Sequence, residues 1–505
     1  MFSRFKLIAA YLFAIPLALI LGFLAASPGE VTFMLIGMLL FFLALPLFLK
    51  WHHALLIIFW NSAFNAFFLP GQPYFWLLFG AISFSLSALS HIMGRKPFLV
   101  VPEMNRPLLL LVVVVAFTAW YRGGIGLKSL GGSAHGGKYY IFIFGAIIGY
   151  FAFTAGQIPM AKSGRMTALF FVSGATFILS NLAYTLGESF YFMFYLVPAG
   201  AAMAQAASDY GFTDIDRIQG LVQTSSAILC FMLAYYGIRD IFRPTKPWRV
   251  IFLLITIASS LFAGFRSAAV LLILIFGFQF YFEGLFRTRI FPVLIAIGIV
   301  AFGVVVLYAN RMPLSVQRAI SFLPVNIDAE ARADATGSSE WRLQMWSIVW
   351  KEVPKYLVVG KGYSFDPSEM ELTTLAIRMG ILSSFEEAIM AGDYHSGPLS
   401  VLVPFGVAGA IAFLWVLIAG FRVLHANFRH GDPALHKVNT TLLAVYLAQV
   451  ACFVLIFGAF STQLFVFLGL VGFSVSLNGG MAKAPATSLD RARGAVSQAY
   501  AIELT

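Results

Sequence analysis

Residues 391–417, AGDYHSGPLSVLVPFGVAGAIAFLWVL, set Asp393, Tyr394 and His395 immediately before a long apolar run. An imidazole with its ordinary pKa of ~6.5 can take a proton from an attacking hydroxyl, and Asp393 or Glu387 are the carboxylates placed to orient it. A lone histidine at such a lip also serves as a plain polar anchor, so its neighbours decide its meaning. Arg266, in SSLFAGFRSAAVLLILIF, occupies a short turn between two apolar runs. A cation that close to hydrocarbon is costly unless it snorkels or finds a partner. A planar guanidinium that can grip phosphate oxygens in pairs suits a lipid-linked pyrophosphate. Arg342, in SSEWRLQMW, lies beside Trp341 and near Trp346, where a solvated helix face or an Arg–Trp stack is the plain alternative. In VVGKGYSF, Gly360 and Gly362 allow a tight chain path just before Tyr363. The glycine-rich stretch 122–140 reads as a flexible loop in which Arg122, Lys128 and Lys138 are further contacts for an anionic ligand.

The elements that must position these groups are membrane spans. The chain has 505 residues, is 60% hydrophobic and 11% charged, and has a mean hydropathy of +0.87, more apolar surface than a soluble core of this length can hide. Its apolar runs meet the requirement of roughly 17–25 residues for a helix crossing ~30 Å of hydrocarbon, and no period-two alternation points to barrel strands. The expectation is an all-α integral membrane protein with about 12–14 transmembrane helices. Fourteen runs fall near 5–26, 31–49, 52–69, 73–93, 107–121, 139–158, 166–184, 219–238, 249–264, 267–283, 290–309, 398–421, 438–457 and 460–477. Lys and Arg gather in alternate connections, which places those connections and both termini in the cytoplasm. The apolar piece 189–207 fits this scheme as a re-entrant or interfacial segment. Cys230 and Cys452 both lie within apolar runs and predict no disulfide framework.

Residues 310–397 form the one long stretch outside the spans and hold 11 of the 22 acidic residues against 8 of the 33 basic ones. The net charge of +11 therefore belongs to the cytoplasmic connections, and nucleic acid is a poor partner. The stretch faces the opposite, periplasmic side. Trp341, Met345, Ile348 and Val349 share a helical face after the serines at 338 and 339, and Asp366 followed by Pro367 opens a second helix. Such amphipathic helices can lie on the membrane and roof a cavity. The expected division is a transmembrane bundle over 1–309, a periplasmic loop domain over 310–397, C-terminal spans over 398–477 and a disordered cytoplasmic tail over 478–505. There is no glycine loop ending in Lys-Ser/Thr, no CxxC and no HExxH.

The order FRS, SSEWRLQMW, VVGKGYSF, DYHSGPLSVLVPFGVAG, over roughly 250–420, resembles the O-antigen ligase and O-antigen polymerase superfamily of bacterial membrane glycosyltransferases. The resemblance implies a GT-C-like architecture in the inner membrane and an inverting transfer that needs neither metal nor cofactor. The implied donor is an undecaprenyl-pyrophosphate-linked glycan. The implied acceptor is a lipid A-core sugar, a second glycan chain or a protein side chain. On this chain Arg266 and Arg342 would bind the pyrophosphate and His395 would act as general base, with Asp393, Tyr394, Glu387, Tyr363 and Arg122 supporting. A transporter or flippase predicts ionisable groups deep in the spans and two-fold internal symmetry, neither of which the sequence displays. A non-catalytic subunit of a cell-envelope assembly predicts that the loop arginines tolerate substitution.

Overall fold

The computed structural model describes residues 29–94, 97–126, 136–209, 215–382 and 385–484, with residues 16, 18, 19 and 22 besides. Almost all of the first expected span, the basic pair Arg95 and Lys96, Lys128 and the tail beyond 484 lie outside the described residues. Among the described residues the protein is all-helical. An isolated antiparallel bridge between Asn65 and Tyr74 is the nearest approach to a strand.

In chain order the helices are α1 (Glu30–Leu43), α2 (Leu45–Trp60), α3 (Phe75–Ile92), α4 (Pro102–Arg122), α5 (Gly137–Thr154), α6 (Met160–Val172), α7 (Ile178–Leu186), α8 (Gly200–Asp209), α9 (Gln219–Ile241) and α10 (Trp248–Phe262). They continue with α11 (Arg266–Phe282), α12 (Ile290–Tyr308), α13 (Leu314–Ala319), α14 (Ala329–Tyr356), α15 (Pro367–Arg378), α16 (Phe385–Ala391), α17 (Gly397–His430), α18 (His436–Leu455) and α19 (Phe460–Asn478). Nine helices of the described residues are long and apolar enough to cross a membrane, ten if the bent pair α1–α2 counts as one. The helices α10 and α11 are shorter apolar helices joined by a tight turn. The protein is thus an all-α, multi-pass membrane protein.

Helices α5 and α19 form the centre of the bundle. Glycines let them approach their neighbours: the positions a Cβ would take on Gly149 and Gly469 are filled by the Trp60 ring. Phe170 stacks on Phe473 at 4.2 Å, and the surrounding apolar residues form one continuous core. Helix α12, with no buried residue, lies at the periphery.

Several spans are broken, and the breaks are satisfied from within the protein, as hydrocarbon requires. Helices α1 and α2 meet at Ala44 at an angle of 84°, and α2 is kinked again at Trp51, close to the boundary expected between residues 49 and 52. The expected span 52–69 ends at Trp60. Beyond it the chain runs irregularly to Tyr74, with Ala63 N–H bonded to Thr176 Oγ1 (2.9 Å) and Ala66 N–H to Pro73 O (2.8 Å). Helix α9 is interrupted at Gly237 (φ +70°), where the Glu283 carboxylate accepts the Ile238 N–H at 2.9 Å. Residues 188–195 form a 3₁₀ helix followed by the short α8, and neither is long enough to span. Helix α17 kinks at Pro404–Gly406, where Gly406 has φ +64°. The carbonyls freed there accept Lys361 N–H (2.8 Å, to Val403) and Gly362 N–H (3.0 Å, to Pro404), so the 357–363 strap lies along the kink.

Candidate active site at the α11, α14 and α17 ends

Helix α14 organises the site. It begins at the Asp328 cap, whose side chain accepts the Glu330 N–H, and runs through Ser338 and Ser339 without a break. The serines expected to cap it are therefore interior. Ser339 Oγ bonds back to Ala335 O (3.2 Å) and is free to accept from a neighbour. That neighbour is Arg266, the first residue of α11, whose Nη2 donates to Ala335 O (2.9 Å) and Ser339 Oγ (3.0 Å).

Around this contact stand four guanidinium groups. Asp334 pairs with both Arg217 (2.5 Å) and the buried Arg318, and Arg318 also donates to Gly264 O in the α10–α11 turn. Arg217 and Arg342 both repel Arg266, while Asp334 attracts it. Burial in the first place, then Arg318 and Arg217, hold the Arg342 guanidinium below its ordinary pKa. Arg342 makes no hydrogen bond or ion pair among the described residues, and its Cζ lies 5.8 Å from the Phe457 ring centroid. Among the described residues Arg342 is the guanidinium of this group left without a partner, and an anion would complete it.

His395 faces the same Phe457. Its ring centroid is 5.3 Å from Phe457 and 5.3 Å from Trp341. The backbone adopts φ +46°, uncommon for a residue with a Cβ, after Gly392 at +75°. Three bonds over-determine this turn: Asp393 N–H to Ala388 O (2.8 Å), Trp346 Nε1 to Tyr394 O (2.8 Å) and His395 N–H to Asp393 Oδ1 (3.4 Å). His395 Nε2 is 3.8 Å from Asp393 Oδ2, while the buried Nδ1 has no partner. Burial lowers the imidazole pKa, Asp393 opposes this by raising it, and Arg342 lowers it further. The neutral ring that results is the form able to accept a proton.

The structure thus brings together Arg266, Arg342, His395 and Asp393. The other residues expected at the site have structural places. Tyr394 is buried among Met345, Val349 and Leu399. Tyr363 is buried against Tyr139, Tyr140 and Phe405. Arg122 fastens the strap through Gly360 O (2.9 Å) and Val359 O (3.2 Å). Glu387 is exposed on α16 and Lys138 is exposed beside Phe142. Sequence reasoning missed Arg217, Arg318 and Asp334, and the only local sign of them was polar residues in short connections. A groove of about 230 Å³ adjoins the site, walled by Trp346, Trp350, Pro398, Leu455 and Phe457. Among the described residues no three His, Cys, Asp or Glu side chains gather as a metal-binding group.

An arginine cluster, an unpaired imidazole nitrogen and an apolar groove thus adjoin at one end of the helix bundle. Residues 248–414 match the family model described as O-antigen ligase. The matched segment contains Arg266, Arg318, Asp334, Arg342 and His395 and leaves Arg217 outside it. It supports the likeness to the O-antigen ligase and polymerase superfamily and, broadly, a glycosyltransferase activity of that type. No curated protein matches the chain significantly.

Proposed function

We propose that the protein transfers a glycan from an undecaprenyl-pyrophosphate donor to an acceptor hydroxyl at the periplasmic face of the bacterial inner membrane. The acceptor is a lipid A-core sugar, a second glycan chain or a protein side chain. One observation carries this reading: Arg342, without a partner among the described residues, and His395, a base whose Nδ1 is left unpaired, both flank the Phe457 ring.

The donor pyrophosphate lies against Arg342 and Arg266, with Arg217 and Arg318 adding positive potential behind them. His395 takes the proton of the acceptor hydroxyl as its oxygen forms a bond to the donor sugar's anomeric carbon. The bond from that carbon to the pyrophosphate oxygen breaks, and its electron pair leaves with the diphosphate, whose growing charge the guanidiniums stabilise. A single displacement inverts the anomeric configuration, and no metal is needed because the arginines supply the charge. Trp346 and Trp350 follow Arg342 by one and two helical turns, about 6 and 12 Å along α14. The groove beside them suits the first isoprene units of the donor.

The test is the purified protein in proteoliposomes, given a defined polyprenyl-pyrophosphate oligosaccharide and each acceptor in turn, with EDTA present. The expected product carries the transferred sugar with inverted anomeric configuration by NMR, in undiminished yield. Retained configuration or dependence on a divalent ion would contradict the mechanism, and no transfer to any acceptor would contradict the function.

A further inference from the structure

Helix α15 buries the wrong face for a helix in water. Thr373 is buried, whereas Leu372 (67% exposed), Leu375 (54%) and Met379 (67%) are not, and Leu382 extends the same stripe. Their spacing of three, four and three residues places all four on one side of the helix and its exit turn. A contiguous apolar stripe of this kind calls for a partner.

The height of the segment identifies that partner. On α17 the exposed apolar side chains Val407, Ile411, Leu414 and Ile418 form the stripe that faces lipid, and basic residues begin at Arg422. Counting back from Arg422 the ~20 residues that span the hydrocarbon reaches about Leu402. The strap crosses α17 at that level: Val407 N–H donates to Leu357 O at 2.9 Å, and the adjacent Val358 is 86% exposed. From there the chain passes the ends of α4 and α5, with Ser364 against Gly124 and Tyr363 against Gly136, and enters α15 at once. We propose that α15, with Ile381 and Leu382, lies in the headgroup–acyl boundary of the leaflet on the side of residues 310–397. Leu372, Leu375, Met379 and Leu382 point into the acyl chains, and Glu371 and Arg378 flank them at headgroup level. The bilayer surface is therefore one wall of this segment, independently of what the site catalyses.

The test places single nitroxide labels at Leu372→Cys, Leu375→Cys, Met379→Cys, at Glu369→Cys on the polar N-terminal flank of the stripe and, as the water-side control to which Glu369 is compared, at the exposed Lys351→Cys on α14. The full chain is used, in phosphatidylethanolamine–phosphatidylglycerol vesicles, and Leu382→Cys replaces any stripe variant that does not elute as a single species. Power saturation is expected to show the stripe labels more accessible to oxygen than to a water-soluble nickel chelate, and Lys351 and Glu369 the reverse. Stripe labels as open to nickel as Lys351 would overturn the proposal in favour of a water-facing helix. Dipolar broadening that disappears on dilution with unlabelled chain would overturn it in favour of a second copy as the occupant.

Discussion

His395 is held in an uncommon backbone conformation so that its ring stands between Trp341 and Phe457 with Nδ1 buried and unpaired. Removing a general base costs about 10²–10⁴-fold, so His395→Ala should lower the transfer rate by that range without changing expression. The groups acting on the ring also fix the pH dependence. Burial and Arg342 lower the pKa and Asp393 raises it, so the base remains neutral below its ordinary pKa of ~6.5. Plotted against pH, kcat/KM should be flat through neutrality and fall only as acid reaches the lowered pKa. Arg342→Gln removes a repelling cation and should move that acid limb to higher pH, besides slowing the reaction. Asp393→Asn should move it to lower pH. A limb unmoved in both variants would take His395 out of the proton transfer. His395, Arg266 and Arg342 were legible in the sequence because charge at the lip of an apolar run is costly enough to need a reason. Tyr394 and Tyr363 carry the same polar signal, but burial assigns them to packing. Whether a phenol faces a cavity or a core is a tertiary fact, which spacing does not encode.

At the scale of elements, α14 positions the cations: Asp334 holds Arg217 and Arg318, and the adjacent Ala335, with Ser339 about a turn further on, holds Arg266. Breaking a buried ion pair from one side strands a charge and costs about 3–5 kcal/mol. Asp334→Ala should therefore loosen residues 310–397 to limited proteolysis, and Asp334→Leu combined with Arg318→Met should restore much of the resistance. Equal resistance of Asp334→Ala and wild type would show that the pair does not hold the segment. The strap supplies a second test. A Cβ on Gly360 would stand 1.9 Å from Pro404 O, whereas one on Gly337, within α14, meets nothing within 4 Å. Gly360→Ala should sharply reduce the yield of folded protein, while Gly337→Ala should raise stability by about 0.5–1 kcal/mol through helix propensity, as thermal unfolding can measure. Helices were read correctly where apolar runs were long and uninterrupted, as in α5, α17 and α19. The reading failed at 52–69, where Asn61, Asn65 and Pro70 sit inside an apolar run. Hydrophobicity reports burial there, and the irregular path depends on partners such as Thr176 that are remote in sequence. It also missed that Gly337, Ser338 and Ser339 continue a helix, because the Asp328 cap lies ten residues upstream.

At the scale of the molecule, the arginine nest, His395 and the groove lie at one end of the bundle. At the other end, Asn427 and Asn439 tie the C-terminal spans together, close to the basic residues Arg422 and Arg429. The alternation of basic connections predicts that the site end faces outward. An impermeant thiol reagent applied to intact cells should therefore label Lys351→Cys and spare Arg429→Cys, and the reverse pattern would invert the topology. The membrane class followed from composition, because 60% hydrophobic residues cannot be hidden otherwise, and its all-helical form from apolar runs of spanning length without period-two alternation. The gathering of Arg217, Arg318 and Asp334 needed the packed chain, since it joins residues 117 positions apart. The central claim is that the unpartnered cation and the neighbouring imidazole act on one substrate. Its most direct test is glycan transfer from an undecaprenyl-pyrophosphate oligosaccharide in proteoliposomes carrying equal amounts of wild type, His395→Ala or Arg342→Ala. The account predicts transfer by wild type and its near-complete loss in both variants, with His395→Ala still binding the donor. Full transfer by either variant would contradict it.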